Sequence, residues 1–302
     1  MTGATGFIGR SALAPLQRLG FEVHALAREI PNPSFIPGVT WHQADLLIPT
    51  RAGSISVREI LETIRPSHLL HFAWYAEHGK FWSSPLNLDW LTATLQLMRD
   101  FAETGGQRFV GAGTCAEYDW TEPNLTQCDE ATTPLRPATL YGAAKASTFL
   151  TGEAFAKSTG IEFAWGRIFH LFGPGESPTR IVPALIRAHL RGESLDCGGG
   201  NQLFDFLQSA QVAEAFAHLC AADLQGSVNI GSGEEKTLRD LSAMIAKLAG
   251  ESRGEIRFDA RPDSGPDRLA PSVAKLQASG WRPSEGLEEG LRKLVDWWKI
   301  QA

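Results

Sequence analysis

Short apolar runs and longer helical patterns alternate along this chain of 302 residues. The runs are rich in β-branched and aromatic residues, and the clearest are FEVHALAR (21–28), VTWHQADL (39–46), HLLHFAW (68–74), QRFVGAG (107–113), IEFAWGRIF (161–169) and SVNIGSG (227–233). Nearly continuous apolar strands separated by helices are typical of a parallel sheet that is covered on both faces. The pattern therefore predicts an α/β fold with a doubly wound parallel sheet.

The alternation changes beyond Phe172. A turn rich in proline and glycine, GPGESP, is followed by a helical run near 181–191, a glycine-rich CGGGNQ, two more helical stretches and a proline-rich RPDSGPDRLAP. Short helical stretches separated by turns are expected to cover the carboxyl ends of the strands, where open α/β sheets bind ligands. We therefore predict a main domain at 1–171 that also receives 204–233, and a smaller substrate lobe at 172–203 and 234–302.

The chain opens with a glycine-rich turn, TGATGFIGR. Gly3 permits a tight turn, Gly6 lets the backbone approach a pyrophosphate, and Gly9 lets the following helix pack closely on a strand. The free N–H groups at the start of that helix favour an anion. A lone glycine triplet is weak evidence, but here loop, helix and strand follow in order. The main domain is therefore predicted to be a Rossmann domain that binds a dinucleotide.

Only Met1 and Thr2 precede the first glycine, so the strand that should deliver the backbone into this loop is missing. Without that strand, the middle of the predicted sheet would have unpaired strand edges, which favour aggregation. Our hypothesis is that the first strand is truncated and that the natural chain carries about 5–8 more residues before Met1, enough for one strand.

Charge and composition narrow the possible partners. The formal net charge is −6 without a basic block or charged tail, which argues against nucleic acid and anionic membranes as partners. No apolar stretch reaches the roughly 18 residues of a membrane span, and no leader with a cleavage site opens the chain, so we expect a cytoplasmic protein. The four cysteines are far apart and show no metal-ligand spacing, so we expect free thiols and no metal.

Three residues form a candidate reactive group. Tyr141 and Lys145 are four apart in a helical pattern and therefore lie on one helix face. An ammonium group near a phenol lowers the pKa of the phenol and makes it a usable acid or base. Thr114 stands just past a predicted strand end, where its hydroxyl could orient a carbonyl or alcohol beside Tyr141. The tyrosine–lysine pair alone is weak evidence, but with the glycine loop and Thr114 it is strong.

These features resemble the extended short-chain dehydrogenase/reductase family, specifically its NAD(P)-dependent epimerase/dehydratase branch, which acts on nucleotide sugars. The resemblance covers nearly the whole chain. It rests on T-G-x-x-G-x-x-G at 2–9, HFAW at 71–74, Thr114, Tyr141-x-x-x-Lys145, GRIFHLFGPG at 166–175, FDFLQSAQVAEAF at 204–216, NIGSG at 229–233 and LQASGWRP at 276–283.

The resemblance implies a role for each reactive residue. Tyr141 would be the acid/base and Thr114 its hydroxyl partner, while Lys145 would tune Tyr141 and hold the nicotinamide ribose. It also implies a homodimer that pairs through the helices near 87–104 and 141–158. The expected cofactor contacts are Gly3, Thr5, Gly6, Phe7, Ile8, Gly9, Arg28, Asp45, Leu46, Ala73 and Lys145.

The second predicted strand ends at Arg28, where an NAD site usually carries an acidic residue. A guanidinium cannot accept a hydrogen bond from a ribose 2′-hydroxyl, but it suits a 2′-phosphate. We therefore expect NADP rather than NAD, with Arg28 as a solvated strand-end residue as the alternative. Asp45, at the end of the third strand, either accepts a hydrogen bond from the adenine amino group or caps a turn.

The residues directly after Thr114 narrow the possible reactions. The 4,6-dehydratases of the family usually place Asp and Glu there, whereas this chain has Cys115 and Ala116, and Glu117 falls one position too late. Dehydration is therefore disfavoured. The remaining reactions are C4 epimerisation, keto reduction and alcohol oxidation, which share hydride transfer between a nicotinamide and a carbinol carbon. The preference for NADP slightly favours a reductase.

The substrate side departs from the family pattern. His170 stands in place of the usual Asn, Phe204 in place of an Arg that clamps a diphosphate, and Ala210-Gln211 in place of an acidic pair. His170 would be either a ligand contact or a hydrogen-bonded core histidine. The predicted substrate contacts are Glu117, Tyr118, His170, Arg180, Arg261 and Arg268.

Several interpretations remain open for the substrate. Trp74, Trp82 and Trp90 could line a sugar pocket, although large aromatic residues more often fill a core or an interface. A nucleotide sugar is the favoured small-molecule substrate, and an apolar or aromatic carbonyl compound is the alternative. A non-catalytic dinucleotide-binding sensor or scaffold is the rival class, since the clamp for the diphosphate is altered.

Overall fold

The structure, a computed structural model, describes residues 1–31, 37–48, 56–121, 125–250, 254–259 and 266–301. In this part of the chain the strands are β1 (Val23–Ala27), β2 (Val39–Gln43), β3 (His68–His71), β4 (Arg108–Thr114), β5 (Glu162–Ile168), β6 (His170–Phe172), β7 (Leu195–Asp196), β8 (Leu203–Gln208), β9 (Gly226–Ile230), β10 (Glu235–Thr237), β11 (Ile256–Arg257) and β12 (Arg268–Leu269). The helices are α1 (Gly9–Arg18), α2 (Val57–Ile64), α3 (Leu86–Glu103), α4 (Leu140–Thr159), α5 (Ile181–Arg191), α6 (Ser209–Ala221), α7 (Leu238–Ala249), α8 (Ala274–Ala278) and α9 (Leu287–Gln301).

The main sheet is parallel throughout. Strand β1 pairs with β2, and β3, β4, β5 and β9 pair in that order, with Val110 opposite Ala164 at the middle of the sheet. Strands β4 and β5 are buried almost along their whole lengths, because helices cover both faces. The α/β fold with a doubly wound parallel sheet is therefore confirmed.

Met1 and Thr2 occupy the gap between β1 and β3. The Leu26 amide donates to the Met1 carbonyl at 2.9 Å, and the Thr2 amide donates to the Leu70 carbonyl at 3.0 Å. Thr2 thereby forms a parallel bridge to Leu26 and to His71 and joins the two parts of the sheet. The hypothesis of a strand before Met1 stays a prediction.

A small apolar cavity lies between β1 and β3, next to these first two residues. Its volume is about 70 Å³. Its lining includes Met1, Leu16, Phe21, Val23, Leu61, Leu69, Leu70 and Leu97. The two strands are thus linked by hydrogen bonds at Met1 and Thr2 and separated by this cavity.

A second, mixed sheet lies beyond β5. Strand β8 is its centre and pairs with β10, β12 and β6. The sequence placed 204–233 with the main domain; α6 does pack on α1, and β9 does pair with β5, but β8 belongs to this second sheet. The first residues of β8, from Leu203 on, pair with β10 and β12, and its last residues, to Gln208, pair with β6.

Helices α5, α7 and α9 pack against one another beside the second sheet. Their apolar faces form a separate core around Phe172, Leu185, Phe206, Ile245 and Leu291. Within the described ranges, no helix combines the length and the apolar character that crossing a membrane would require.

Candidate active site

The opening glycine loop has the backbone conformation that the sequence predicted. Gly3 has a positive φ of 69°, and a Cβ on it would lie 2.7 Å from the Ala73 amide nitrogen. A Cβ on Gly9 would lie 2.1 Å from the Gly3 carbonyl oxygen, so only glycine allows α1 to start this close to the loop. No side chain caps the first turn of α1, which leaves its N-terminus available to an anion. These observations fit a bound pyrophosphate.

The other loop positions surround this turn. Thr5 and Gly6 are exposed, and Phe7 and Ile8 are half-buried. The Gly6 amide donates to the Gly3 carbonyl at 3.0 Å, which closes the turn. The loop therefore presents its backbone, rather than a charged side chain, to the space above α1.

The strand-end residues predicted to contact the adenosine differ in their exposure and in their hydrogen bonds. Arg28 follows β1 and is exposed. Asp45 accepts a hydrogen bond from the Leu47 amide at 3.0 Å, so it caps a turn, which was the alternative interpretation of this residue. Leu46 packs partly against a core cluster, and Ala73 lies beside Thr2 after β3.

Thr114 ends β4 and starts a short 3₁₀ turn at Cys115–Glu117. Its hydroxyl accepts a hydrogen bond from the Ala116 amide at 3.2 Å, and its own amide donates to the Glu117 carboxylate at 2.9 Å. This reciprocal capping fixes the strand end. A Cβ on Gly142 would lie 2.2 Å from the Ala116 carbonyl oxygen, so the turn that follows Thr114 packs directly on the first turn of the next helix, beside Tyr141. Thr114 also lowers the pKa of Tyr141, so these two predicted residues lie within reach of each other.

Tyr141 lies in the first turn of α4, which begins after Thr139 caps the helix by accepting the Gly142 amide. Burial raises the pKa of Tyr141, and the hydrogen bond with Thr114 opposes that rise. Lys145 is buried one turn later; its Nζ donates to the Ala112 carbonyl at 2.7 Å and lies 3.8 Å from the centroid of the Trp74 ring.

The expected effect of Lys145 on Tyr141 is wrong for this structure. We expected the ammonium to lower the pKa of the phenol, but the pKa of Tyr141 is raised, because the phenol is desolvated and Nζ bonds to Ala112 instead. Burial also lowers the pKa of Lys145 to about 7, against the opposing charge of Glu117.

Glu117 and Tyr118 are not substrate contacts, which corrects the prediction from sequence. Glu117 is fully buried, and its carboxylate accepts from Arg167 Nε at 2.8 Å and from Trp165 Nε1 at 2.9 Å. The buried Tyr118 hydroxyl donates to Asn229 at 2.7 Å and accepts from Arg167 at 3.0 Å. The 3₁₀ turn directs both side chains inward, because the buried guanidinium of Arg167 requires a partner.

His170 and Arg180 lie on the same side of the site. The His170 ring packs against Phe204 and Phe206 at centroid distances of 4.7 and 5.5 Å, and its Nδ1 is buried without a hydrogen-bond partner. Burial and the charge of Arg180 lower the pKa of His170 to about 4. Arg180 also lowers the pKa of Tyr141 and therefore lies within electrostatic reach of the phenol.

Arg180 has two partners that the sequence analysis did not anticipate. Its Nε donates to Glu176 at 2.9 Å, and its Nη1 lies 3.4 Å from Nδ1 of His78. Burial raises the pKa of Glu176 to about 7, while Arg180 opposes that rise. Glu176 lies in the GPGESP segment, which we interpreted only as a turn; an acidic residue four positions before Arg180 was the available signal.

The two late arginines remain apart from this group. Arg261 lies outside the described residues. Arg268 starts β12 and donates to Glu235 at 2.7 Å, and its Nε is buried without a partner. Arg268 thus forms an ion pair with Glu235 of β10, which lies on the other side of β8, and its role as a substrate contact stays a prediction.

Two aromatic side chains pack against the Tyr141 ring. The Phe81 and Trp82 rings stand nearly perpendicular to the phenol at centroid distances of 4.8 and 5.8 Å. Trp74 and Trp90 are stacked on each other instead, 6.3 Å apart. Of the three tryptophans considered from the sequence, Trp82 is the one whose ring lies against Tyr141.

Comparisons with known proteins agree with this geometry. A model of the NAD dependent epimerase/dehydratase family matches residues 1–231. A trifunctional UDP-glucose 4,6-dehydratase/UDP-4-keto-6-deoxy-D-glucose 3,5-epimerase/UDP-4-keto-L-rhamnose-reductase of Arabidopsis thaliana is 30% identical over 196 residues. That alignment covers 64% of this chain and only 29% of the plant protein, so the chain spans less than a third of that relative.

Solved structures match over the full length. The UDP-glucose 4-epimerase of Thermus thermophilus, in complex with NAD, superposes with a TM-score of 0.83 at 26% identity and covers 100% of this chain and 98% of that one. MoeE5 in complex with UDP-glucose and NAD gives a TM-score of 0.80 at 27% identity, covering 99% of this chain and 98% of that one.

Proposed function

The chain belongs to the NAD-dependent epimerase/dehydratase family, and on this basis we propose that it transfers hydride at a carbinol or keto carbon of a nucleotide sugar, as a 4-keto reductase or a 4-epimerase. The observation that carries this proposal is the close packing of the turn after Thr114 on the first turn of α4, which brings Thr114, Tyr141 and Lys145 to one place. A protein that only binds a dinucleotide has no need of a hydroxyl, a phenol and an amine together. The similar MoeE5 was solved with UDP-glucose and NAD, which supports the substrate class.

The residues that would hold the cofactor follow from the geometry. The backbone of Gly3, Gly6 and Gly9 and the uncapped start of α1 would receive the pyrophosphate. Lys145 would contact the nicotinamide ribose, and Arg28 would favour NADP because its exposed guanidinium suits a 2′-phosphate. When bound, the nicotinamide supplies the acceptor and donor of hydride.

Tyr141 would move the proton at the reacting oxygen. In the direction of reduction it donates its phenolic proton to the substrate oxygen, and in the direction of oxidation it accepts that proton. The phenol is protonated near neutral pH, so the resting side chain is ready to donate its proton. Thr114 would hold the same substrate oxygen by hydrogen bonding.

Other features refine the proposal. Cys115 and Ala116 stand where the family's 4,6-dehydratases place acidic residues, so we propose that dehydration is not the reaction.

Arg180 would contact the substrate, since it lies near Tyr141 and its side chain is 33% exposed. We also propose that segments 172–203 and 234–302 form the lobe over the substrate, and that two copies pair through α3 and α4.

The substitution Tyr141→Phe tests this function. We expect turnover to fall by about 10²–10⁴-fold, because the proton donor is removed, while cofactor affinity stays unchanged. The assay would supply NAD or NADP with UDP-hexoses and follow epimers by chromatography, and would follow NADPH or NADH absorbance with a nucleotide 4-keto sugar.

Cofactor binding by calorimetry is the control in both proteins. If the wild-type protein binds dinucleotide but shows no turnover that Tyr141→Phe removes, the sensor or scaffold interpretation replaces the enzymatic one. If turnover occurs only with simple aromatic carbonyl compounds, the nucleotide part of the proposal is wrong.

A further inference from the structure

Trp82 differs from the other aromatic residues near Tyr141 because part of its ring faces solvent. Its exposed fraction is 37%, although it contacts Phe81, Trp120 and Tyr141. Single exposed aromatic residues are common on protein surfaces and usually need no explanation. This one lies against the proposed proton donor, so its ring borders the place where a substrate would react.

The backbone at Trp82 is held firmly. Its carbonyl accepts a hydrogen bond from the Tyr141 amide at 3.1 Å, which ties the segment after β3 to the first turn of α4. The Asn87 amide group donates to the carbonyls of Phe81 at 2.7 Å and Ser84 at 2.9 Å. Trp74 Nε1 in turn donates to Asn87 at 2.9 Å. Trp82 is therefore positioned before any ligand arrives, which lowers the entropic cost of using its ring for binding.

The Trp82 ring stands nearly perpendicular to two neighbouring aromatic rings. Trp82 and Trp120 are nearly perpendicular, at 83°, with their centroids 6.5 Å apart. Trp120 is fixed by a hydrogen bond from its Nε1 to the Cys115 carbonyl at 2.9 Å. The Tyr141 ring is also perpendicular to Trp82, at 88°. The Trp82 ring thus contacts both the group that would exchange the proton and the Trp120 ring.

The Trp74 ring is less accessible to a ligand than the Trp82 ring. The Lys145 ammonium lies 3.8 Å from the centroid of the Trp74 ring, and the Trp74 ring also stacks on Trp90. Within the described residues the indole N–H of Trp82 has no hydrogen-bond partner, whereas those of Trp74 and Trp120 have one each. The Phe81 ring covers one face of Trp82, at a centroid distance of 4.3 Å and 33° between the planes, and the remaining 37% exposure leaves apolar ring surface and a free donor.

Polar groups lie within electrostatic reach of the same phenol. Arg180 acts on the pKa of Tyr141 and carries His78 beside its guanidinium. A ligand at Tyr141 would meet aromatic faces at Trp82 and Trp120 and hydrogen-bond donors at Arg180. A pyranose ring matches this arrangement, since its axial C–H bonds give it apolar faces and its hydroxyls give it a polar edge.

We propose that Trp82 is the stacking platform for the sugar ring of the nucleotide sugar and thereby a determinant of substrate specificity. The C–H face of the ring packs on the indole, which directs the reacting carbon toward Tyr141. This inference rests on the proposed function, because it takes the substrate to be a nucleotide sugar. We assign the sugar ring, and not the nucleotide portion, to Trp82.

The test compares binding of sugar nucleotides with binding of the matching nucleoside diphosphates. Calorimetry with NAD present would use UDP-glucose and UDP, GDP-mannose and GDP, and dTDP-glucose and dTDP, and the pair bound most tightly by the wild-type protein would be taken further. We expect Trp82→Ala to weaken the sugar nucleotide about tenfold and to leave the free diphosphate within about twofold.

Two further variants sharpen the result. Trp82→Phe keeps an aromatic ring and should recover most of the affinity, whereas Leu19→Ala removes an apolar side chain that is 52% exposed at the C-terminal end of α1 and should change neither ligand. Equal weakening of both ligands by Trp82→Ala, or no weakening of either, would overturn the platform. If the wild-type protein binds none of the six nucleotides, the proposed substrate class fails, and the platform for its sugar fails with it.

Discussion

Two glutamate–arginine pairs lie near Tyr141, and they differ in their access to water. Glu117 and Arg167 are buried, with side-chain exposures of 0% and 1%, and their contact is 2.8 Å. In the second pair, Glu176 is 5% exposed but Arg180 is 33% exposed. Glu117 raises the pKa of Tyr141 and Arg180 lowers it, so both pairs act on the same phenol.

The difference in exposure gives the two pairs different uses. Every group around Arg167 belongs to the core, including the Tyr118 and Phe149 rings, each 4.7 Å from the guanidinium carbon. This pair fixes the turn after β4 and with it Thr114. Arg180 is held on one edge by Glu176 and keeps part of its guanidinium in water. The same pair of residue types thus serves as an internal support in one place and presents a charge at the surface in the other.

The largest effect is expected from breaking the buried pair. Glu117→Leu should lower the free energy of unfolding by about 3–5 kcal/mol, because it leaves the Arg167 charge buried without its carboxylate. Urea unfolding of the variant and the wild-type protein would measure the loss.

The double variant Glu117→Leu with Arg167→Leu is the matched control for this loss. Removing both charges should recover much of the stability, since neither group is then left unpaired. If the double variant is no more stable than the single one, the cost comes from packing around Trp165 rather than from the unpaired charge.

A smaller effect is expected from the half-exposed pair, and it depends on pH. The pKa of Glu176 in the folded protein is raised to about 7 from 4.5, so its stabilising contribution is complete below pH 4.5 and is lost as the pH rises through 7. Unfolding at pH 5 and pH 8 should therefore show the wild-type protein losing on the order of 2 kcal/mol relative to Glu176→Gln.

Taking the difference between the two proteins removes the other titrating groups from this measurement, because His170 and Lys145 are present in both. Glu62→Gln, on the exposed face of α2, is the control and should follow the wild-type protein at both pH values. A difference between wild type and Glu176→Gln that is constant with pH would contradict a proton held by Glu176.

The smallest effect on stability is expected from Arg180→Met. At pH 5 Glu176 is protonated, so the variant leaves no buried charge unpaired and the thermal midpoint should move little, by the equivalent of roughly 0–1 kcal/mol. Affinity for a nucleotide sugar should nevertheless fall, because the variant removes a donor beside Tyr141. Arg167→Met is the comparison. We expect it to cause a large loss of stability and to change the affinity for the nucleotide sugar less. If Arg180→Met binds as the wild-type protein does, the guanidinium is not a substrate contact.

The sequence predicted the parts of this site that depend on local rules. The glycine spacing at Gly3, Gly6 and Gly9 dictated the loop, since backbone conformation and close packing there exclude other residues. Alternating apolar runs and helical patterns were sufficient to predict the parallel sheet. Thr114 and Tyr141 could be placed together because carboxyl ends of parallel strands and the following helix starts meet at one edge of a sheet.

Other properties depended on residues far away in the chain. Glu117 was taken for a substrate contact because it follows Thr114, but its direction is decided by Arg167, 50 positions later. Lys145 was expected to act on Tyr141, yet its Nζ bonds to the Ala112 carbonyl, 33 positions earlier. Patterns along the chain determine which elements form and which backbone sites need glycine. Only the tertiary structure decides which buried charge meets which partner, because desolvation makes each buried polar group depend on whatever the fold brings within hydrogen-bonding distance.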